Sequence, residues 1–182
     1  MTEYEKMAIG EVFDGTSLEI ANAREHAYEL LYQIRHARKF GETQVLFKEL
    51  FAELGEGSIV NVPFNCEFGK RIKIGDNTFL NIGIDMLDGA EITIGNNVMI
   101  GPNAQFYTAS HSLDYRQRRK WETRCLPITV EDDVWIGGNV VINQGVTIGA
   151  RSVVAANSVV NHDVPEDCLV GGTPAKVLKR LD

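Results

Sequence analysis

The sequence predicts a mainly β fold: a solenoid of short parallel strands, with helices ahead of it and one loop ejected from the stack. Three observations predict it. Aliphatic residues recur every six positions, a second apolar or small residue stands two before each, and the positions between are rich in Gly, Asn and Asp. Val130, Ile136, Ile142, Ile148, Val154 and Val160 form the clearest series, preceded by Ile128, Val134, Val140, Val146, Ser152 and Ser158. Val62, Phe68, Ile74, Leu80 and Met86 carry it in the earlier half, preceded by Val60, Cys66, Ile72, Thr78 and Ile84. The register slips by two at Asp88-Gly89 and resumes at Ile94, Ile100 and Phe106.

Residues two apart on a strand share a face. Each hexad therefore offers two inward side chains and leaves four residues to turn the chain. Turn slots such as Gly75-Asp76-Asn77, Gly95-Asn96-Asn97 and Glu131-Asp132-Asp133 suit that task, because these residues tolerate positive φ or bond their own backbone. Stacking then buries a continuous core that no single coil could form alone. A β-sandwich would explain the alternation but not a fixed period of six.

The elements divide the chain into 1–58, 59–164 and 165–182. In the first part, Thr16 and Glu19 match a capping box opening a helix that runs to about Arg38. Ile20, Ala27, Leu30, Leu31 and Ile34 recur along it at helical spacing. A second helix is predicted over Thr43 to Leu54, stopped near Gly55 and Gly57. Both are expected to cover the open end of the solenoid. Residues 59–164 carry the repeat, interrupted by the polar insert 109–126. Phe106 and Val130 stand twenty-four apart, so the phase survives the insert. Residues 165–182 form a tail.

Composition narrows the function classes. The 182 residues are 44% hydrophobic, with 18 Lys and Arg against 25 Asp and Glu, a net charge of -7. That balance offers no broad basic face for nucleic acid. No apolar run reaches membrane-spanning length, and Met1 to Glu11 lacks a signal-peptide core. Cys66, Cys125 and Cys168 are odd in number and form no CxxC pair, as expected of reduced thiols in a cytoplasmic protein with no metal site.

His111 opens the ejected loop and is the only histidine in the central repeats; His162 falls in a late turn slot, and His26 and His36 in the helical region. An imidazole at the mouth of a rigid scaffold is well held for acid–base work near neutral pH. Trp135 stands one before an inward residue and so points outward, which suits a ligand or a second subunit.

Tyr107-Thr108-Ala109-Ser110-His111-Ser112-Leu113-Asp114 resembles the catalytic segment of maltose and galactoside O-acetyltransferases, members of the hexapeptide-repeat acyltransferases. So do Pro127 to Val130, Asp133-Val134-Trp135-Ile136-Gly137-Gly138, Val141 to Gly149 and Gly171-Gly172-Thr173-Pro174-Ala175-Lys176. The resemblance spans nearly the whole chain. It implies a three-sided, left-handed β-helix, a homotrimer with sites between subunits, and transfer of acetyl from acetyl-CoA to a small-molecule acceptor, a sugar hydroxyl. His111 is then the general base. Asn81, Asp88 and Glu67 match acceptor-side positions, and Asp14 lies one residue from another. Trp135, Gly138, Ala156, Asn161, Lys176 and Lys179 fall at positions for CoA, the lysines suiting its phosphates. Where the family often has Ser, Gly138 leaves only a backbone donor. Loop residues Arg116, Arg118, Arg119 and Lys120 add a second basic cluster. A serine or chloramphenicol-like acetyltransferase is the alternative within the enzyme class. A γ-type carbonic anhydrase would need three zinc-binding histidines that the repeats do not supply.

Overall fold

A computed structural model describes residues 1–181. It is a left-handed parallel β-helix of about six turns. The chain visits three faces in order. The first holds Glu53–Leu54, Ile72–Ile74, Ile92–Ile94, Ile128–Val130 and Thr147–Ile148. The second runs from Ile59–Val60 through Phe79–Leu80, Met99–Ile100, Trp135–Ile136 and Val153–Val154 to Cys168–Gly172. The third holds Phe64–Cys66, Ile84–Leu87, Gln105–Tyr107, Val141–Asn143 and Val159–Val160. Inward side chains stack in ladders, Ile74 on Ile94 and Val130 on one face, Leu80 on Ile100 and Ile136 on the next. All are buried.

Two inward positions of the later series are serines, and the prism satisfies their hydroxyls. Ser152 Oγ donates to Pro165 O at 2.7 Å and accepts from the Cys168 N–H at 3.1 Å. Ser158 Oγ likewise links Ala155 O and the Gly172 N–H. A buried hydroxyl without partners would cost free energy, so these bonds decide whether Ser is tolerated there.

Coil length differs between the two halves. Ile136 pairs with Val154, eighteen residues on, which is three hexads. Ile74 pairs with Ile94, twenty residues on. The two additional residues sit at the corner from the third face to the first. The slip expected at Asp88-Gly89 lies there, and the coil before it has an equivalent slip at Glu67 to Gly69. Val62 and Phe68 therefore do not belong to the inward series. Val62 is 40% exposed, and Phe68 packs outside the prism with Met7, Phe13 and Ile20. Cys66, not Phe68, is the stacking partner of Met86.

The helices close the first coil. α1 (Glu3–Ala8) was not anticipated, although Thr2 and Glu5 form its capping box, with both reciprocal bonds present. α2 (Leu18–His36) buries the five apolar residues its periodicity selects. Its cap is Ser17, whose Oγ accepts from the Ile20 N–H, not Thr16. Thr16 instead donates its N–H and hydroxyl to Asp14 Oδ1. α3 (Phe40–Leu50) starts and ends earlier than expected. Leu54 belongs to the first strand of the solenoid, which is drawn into the ladder by bonds such as Gly55 N–H to Ile74 O at 2.9 Å. Phe47 and Phe51 of this segment meet Phe64 edge-on at 5.4 and 5.3 Å between centroids, plugging the prism.

Cys168–Gly172 continues the second face, and Ala175–Arg180 folds back antiparallel on it. An antiparallel strand ends the parallel ladder and covers its edge. Among the described residues no helix is long and apolar enough to cross a membrane.

Candidate active site

The insert is a hairpin. Ala109–His111 pairs antiparallel with Glu122–Cys125, which pairs on its other side with Phe13–Asp14. The N-terminal segment thus braces the loop that carries the histidine. A short helix, α4 (Tyr115–Arg118), turns the chain between the two strands, capped by the Asp114 carboxylate on the Arg116 N–H. The basic residues are engaged within the loop. Arg118 donates to Ser112 O at 2.9 Å, Arg116 and Arg119 lie over Tyr115, and Lys120 reaches Gln117.

His111 is exposed at the end of its strand. Its Nδ1 lies 3.2 Å from Glu122 O and 3.5 Å from Thr123 Oγ1. A carbonyl oxygen only accepts, so in the neutral ring Nδ1 is the donor and Nε2 the acceptor. The ring stands at the rim of a cavity of about 400 Å³. Met7, Phe13 and Phe68 give it apolar walls; Arg24, Glu67 and Thr123 give it polar ones. The imidazole therefore borders an amphipathic hollow.

The other acceptor-side residues expected from the sequence divide. Glu67 lines this cavity and pairs with Arg24 at 2.9 Å. Burial pushes its carboxyl above the ordinary range, against the pull of Arg24. Asp14 lies outside the cavity wall, although Phe13, Gly15 and Thr16 are in it. Its carboxylate is held down by the Thr16 hydroxyl and N–H. Asp88 does not fit an acceptor contact. Its side chain is fully buried, and its oxygens accept the N–H groups of Glu67, Phe68 and Gly69 at 2.8, 2.9 and 2.7 Å. It holds the two-residue bulge of the coil before it, which is why an acid stands at the slip. Burial raises its carboxyl, with the three amides opposing.

Asn81, expected on the acceptor side, lies elsewhere on the single chain. It does not join His111 within the chain but lines a separate groove of about 510 Å³. There Asn81 Oδ1 accepts the Ile82 N–H at 2.8 Å. This groove also contains Trp135, Gly138 and Ala156, with Gly101, Pro102, Val153 and Leu169. Trp135 is 53% exposed, flanked by Met99 and Val153 on neighbouring strands. Gly101, on the coil before it, has no room for a side chain: a Cβ there would stand 2.6 Å from the Gly138 nitrogen, whereas a Cβ on Gly138 itself would meet only Pro102, at 3.3 Å. Asn161 is exposed in the turn after Val159–Val160. Lys176 and Lys179 lie on the final antiparallel strand, exposed, with Lys179 paired opposite Leu169 of the groove.

Sequence reasoning missed several residues of the His111 cavity, Thr123 among them. Arg24 was hidden in an amphipathic helix, Trp121 in the polar insert, and Cys125 among the free thiols. Cys125 is buried beneath Gly89, and burial pushes its thiol up to about 11, so it is an inert wall.

A three-sided prism, an imidazole on an ejected hairpin and an outward tryptophan over a corner groove together define a hexapeptide-repeat transferase. The comparisons agree. Residues 127–162 match the family described as bacterial transferase hexapeptide (six repeats). The galactoside O-acetyltransferase of Escherichia coli is 33% identical over 98% of this chain and 89% of its own. A hexapeptide-repeat acetyltransferase of Vibrio cholerae, solved with acetyl-CoA, is 64% identical with a TM-score of 0.93, covering 100% of both chains. A maltose O-acetyltransferase of Clostridium difficile is 30% identical with a TM-score of 0.91, over 100% of this chain and 98% of that one. The chain belongs to the maltose and galactoside O-acetyltransferase family of hexapeptide-repeat acetyltransferases.

Proposed function

We propose that the protein transfers the acetyl group of acetyl-CoA to a hydroxyl of a sugar of maltose, glucose or galactoside type, with His111 as general base. The observation that carries this reading is the imidazole whose Nδ1 is paired to Glu122 O, leaving Nε2 bare at the rim of an amphipathic cavity. A sugar hydroxyl is a weak nucleophile until its proton is removed. Nε2 takes that proton, the oxygen attacks the thioester carbonyl, the C–S bond breaks, and the imidazolium returns the proton to the departing sulfur. Acetyl-CoA supplies the activated acyl group, and the proteins named above support it as donor.

The corner groove suits the pantetheine arm. Its walls are mostly apolar, Trp135 is half exposed over it, and the paired Lys179 and neighbouring Lys176 bring positive charge to one end. Gly138 offers its backbone N–H to the carbonyl oxygen as negative charge grows there. Asn161 and Ala156 border the same path. Glu67 serves the acceptor side through its cavity position, and Asp14 through the strand it fixes. Asn81, on the groove, meets the acceptor from the CoA side.

One chain keeps the imidazole cavity and the groove apart. A homotrimer, packed flank to flank, brings the groove of one copy to the imidazole of the next. The test is a panel of maltose, glucose, methyl galactoside, serine and chloramphenicol with acetyl-CoA, following release of the CoA thiol. Sugars should be turned over best, and His111→Ala should lower turnover by about 10²- to 10⁴-fold. Preference for serine or chloramphenicol, or full activity in His111→Ala, overturns the reading.

A further inference from the structure

Trp121 is 58% exposed at the tip of the catalytic hairpin, and its φ is 59°. A bulky residue in left-handed backbone is uncommon and costs free energy relative to glycine. Its surroundings do not reward it with burial, and it belongs to neither apolar cluster. The turn nevertheless fixes it on both sides. Its N–H donates to Arg118 O at 3.0 Å, and its carbonyl accepts the Thr123 hydroxyl at 2.9 Å. The indole stands edge-on to the His111 ring, 6.3 Å between centroids at 79°. It lines the His111 cavity and a smaller hollow beside it. Strained backbone held in place without a packing gain points to a ligand.

We propose that Trp121 is the acceptor platform: the apolar C–H face of a pyranose ring lies against the indole, which turns a ring hydroxyl toward Nε2 of His111. The same cavity supplies what the polar rim of a sugar needs, since Arg24, Glu67 and Thr123 line it with donors and acceptors. A ring with one apolar face and a polar rim fits such a cavity, whereas a small linear alcohol leaves the indole without work. The inference rests on the sugar reading above and adds the residue that orients the ring.

The experiment compares Trp121→Ala, Trp121→Phe and Trp121→Gly with wild type, using maltose and methyl galactoside as acceptors. In Trp121→Ala the acceptor KM should rise about 5- to 10-fold, the worth of one aromatic contact. The KM for acetyl-CoA and the pH profile should stay unchanged, and Trp121→Phe should recover most of the loss. Trp121→Gly, with its backbone relieved, should melt no lower than wild type while showing the same KM defect. An unchanged acceptor KM in Trp121→Ala, or Phe no better than Ala, overturns the proposal. A second readout is independent of turnover. Trp135→Phe leaves Trp121 as the sole tryptophan, and its emission should shift as maltose or methyl galactoside is added. If neither sugar is acetylated yet the emission shifts, the transfer reading fails and the platform stands. If sugars are acetylated with no shift, the platform alone fails. If there is neither turnover nor shift, both fall.

Discussion

Asp88→Asn tests the bulged corner, because the substitution keeps shape and removes one kind of atom. The carboxylate accepts three backbone N–H groups, two on Oδ1 and that of Gly69 on Oδ2. Asparagine has one acceptor oxygen and an NH₂ that can only donate. Whichever way it turns, at least one buried N–H faces a donor. Losing a hydrogen bond to a charged acceptor costs about 1.5–3 kcal/mol, and an unsatisfied buried donor raises this toward about 3–4. For a domain of this size, about 3 kcal/mol corresponds to a melting shift of roughly 6–12 °C. The difference also depends on pH. Burial raises the native carboxyl above the unfolded value of 3.8. Just above that value the native state binds more protons than the unfolded one, so wild-type stability falls as pH rises. The asparagine variant lacks this slope. The gap between them should be widest near pH 4 and narrower at pH 7. Thermal melts at equal protein concentration across that range measure it. A variant melting within about 2 °C of wild type at pH 5, or a gap that widens with pH, would refute this account of the corner.

Other outcomes follow from the same contacts. Glu67→Gln removes a carboxyl raised by burial; its melting temperature relative to wild type should climb as pH passes upward from about 4.5, and a flat or opposite trend in a melting series counts against that. Gly75→Ala would put a Cβ 2.6 Å from Asn96 Oδ1 and 2.8 Å from the Gly95 carbonyl of the next coil. It should cost about 1–3 kcal/mol in urea unfolding, while Gly41→Ala, with open space around it, should not destabilise. Arg151 pairs with Glu166 and Asp167 on the surface, its side chain about half exposed. Arg151→Ala should melt close to wild type, with the difference smaller still in high salt, as paired melts at two ionic strengths would show.

The repeat was legible because it is a one-dimensional code: each hexad repeats the same two inward choices, and every later coil obeys it. The early coils were harder. Val62 and Phe68 keep the arithmetic of six, yet the stack counts from Val60 and Cys66, because a bulge inserts two residues at a corner whose own chemistry lies a coil away in Asp88. Helix existence was readable from Ile20 to Ile34, but the cap was not, since Thr16 and Ser17 are both suitable and the Asp14 turn decides between them. His111 was found by its setting and its segment. Arg24 and Trp121 were not, because each reaches the cavity across a long sequence distance or from a turn whose polar neighbours mask it. Asn81 and His111 were grouped by role, whereas distance within one chain separates them.

The corner from third face to first accommodates two residues more than a hexad in two coils and a whole eighteen-residue hairpin in the next, while the strands on either side stay in register. Length there is decoupled from the ladder, since only its two ends must meet the stack. Such a seam lets a chain exchange its chemical apparatus without renegotiating its framework. A foreign hairpin spliced between Thr108 and Pro127 would inherit a finished foundation, and the prism beneath would register the change only at its edge.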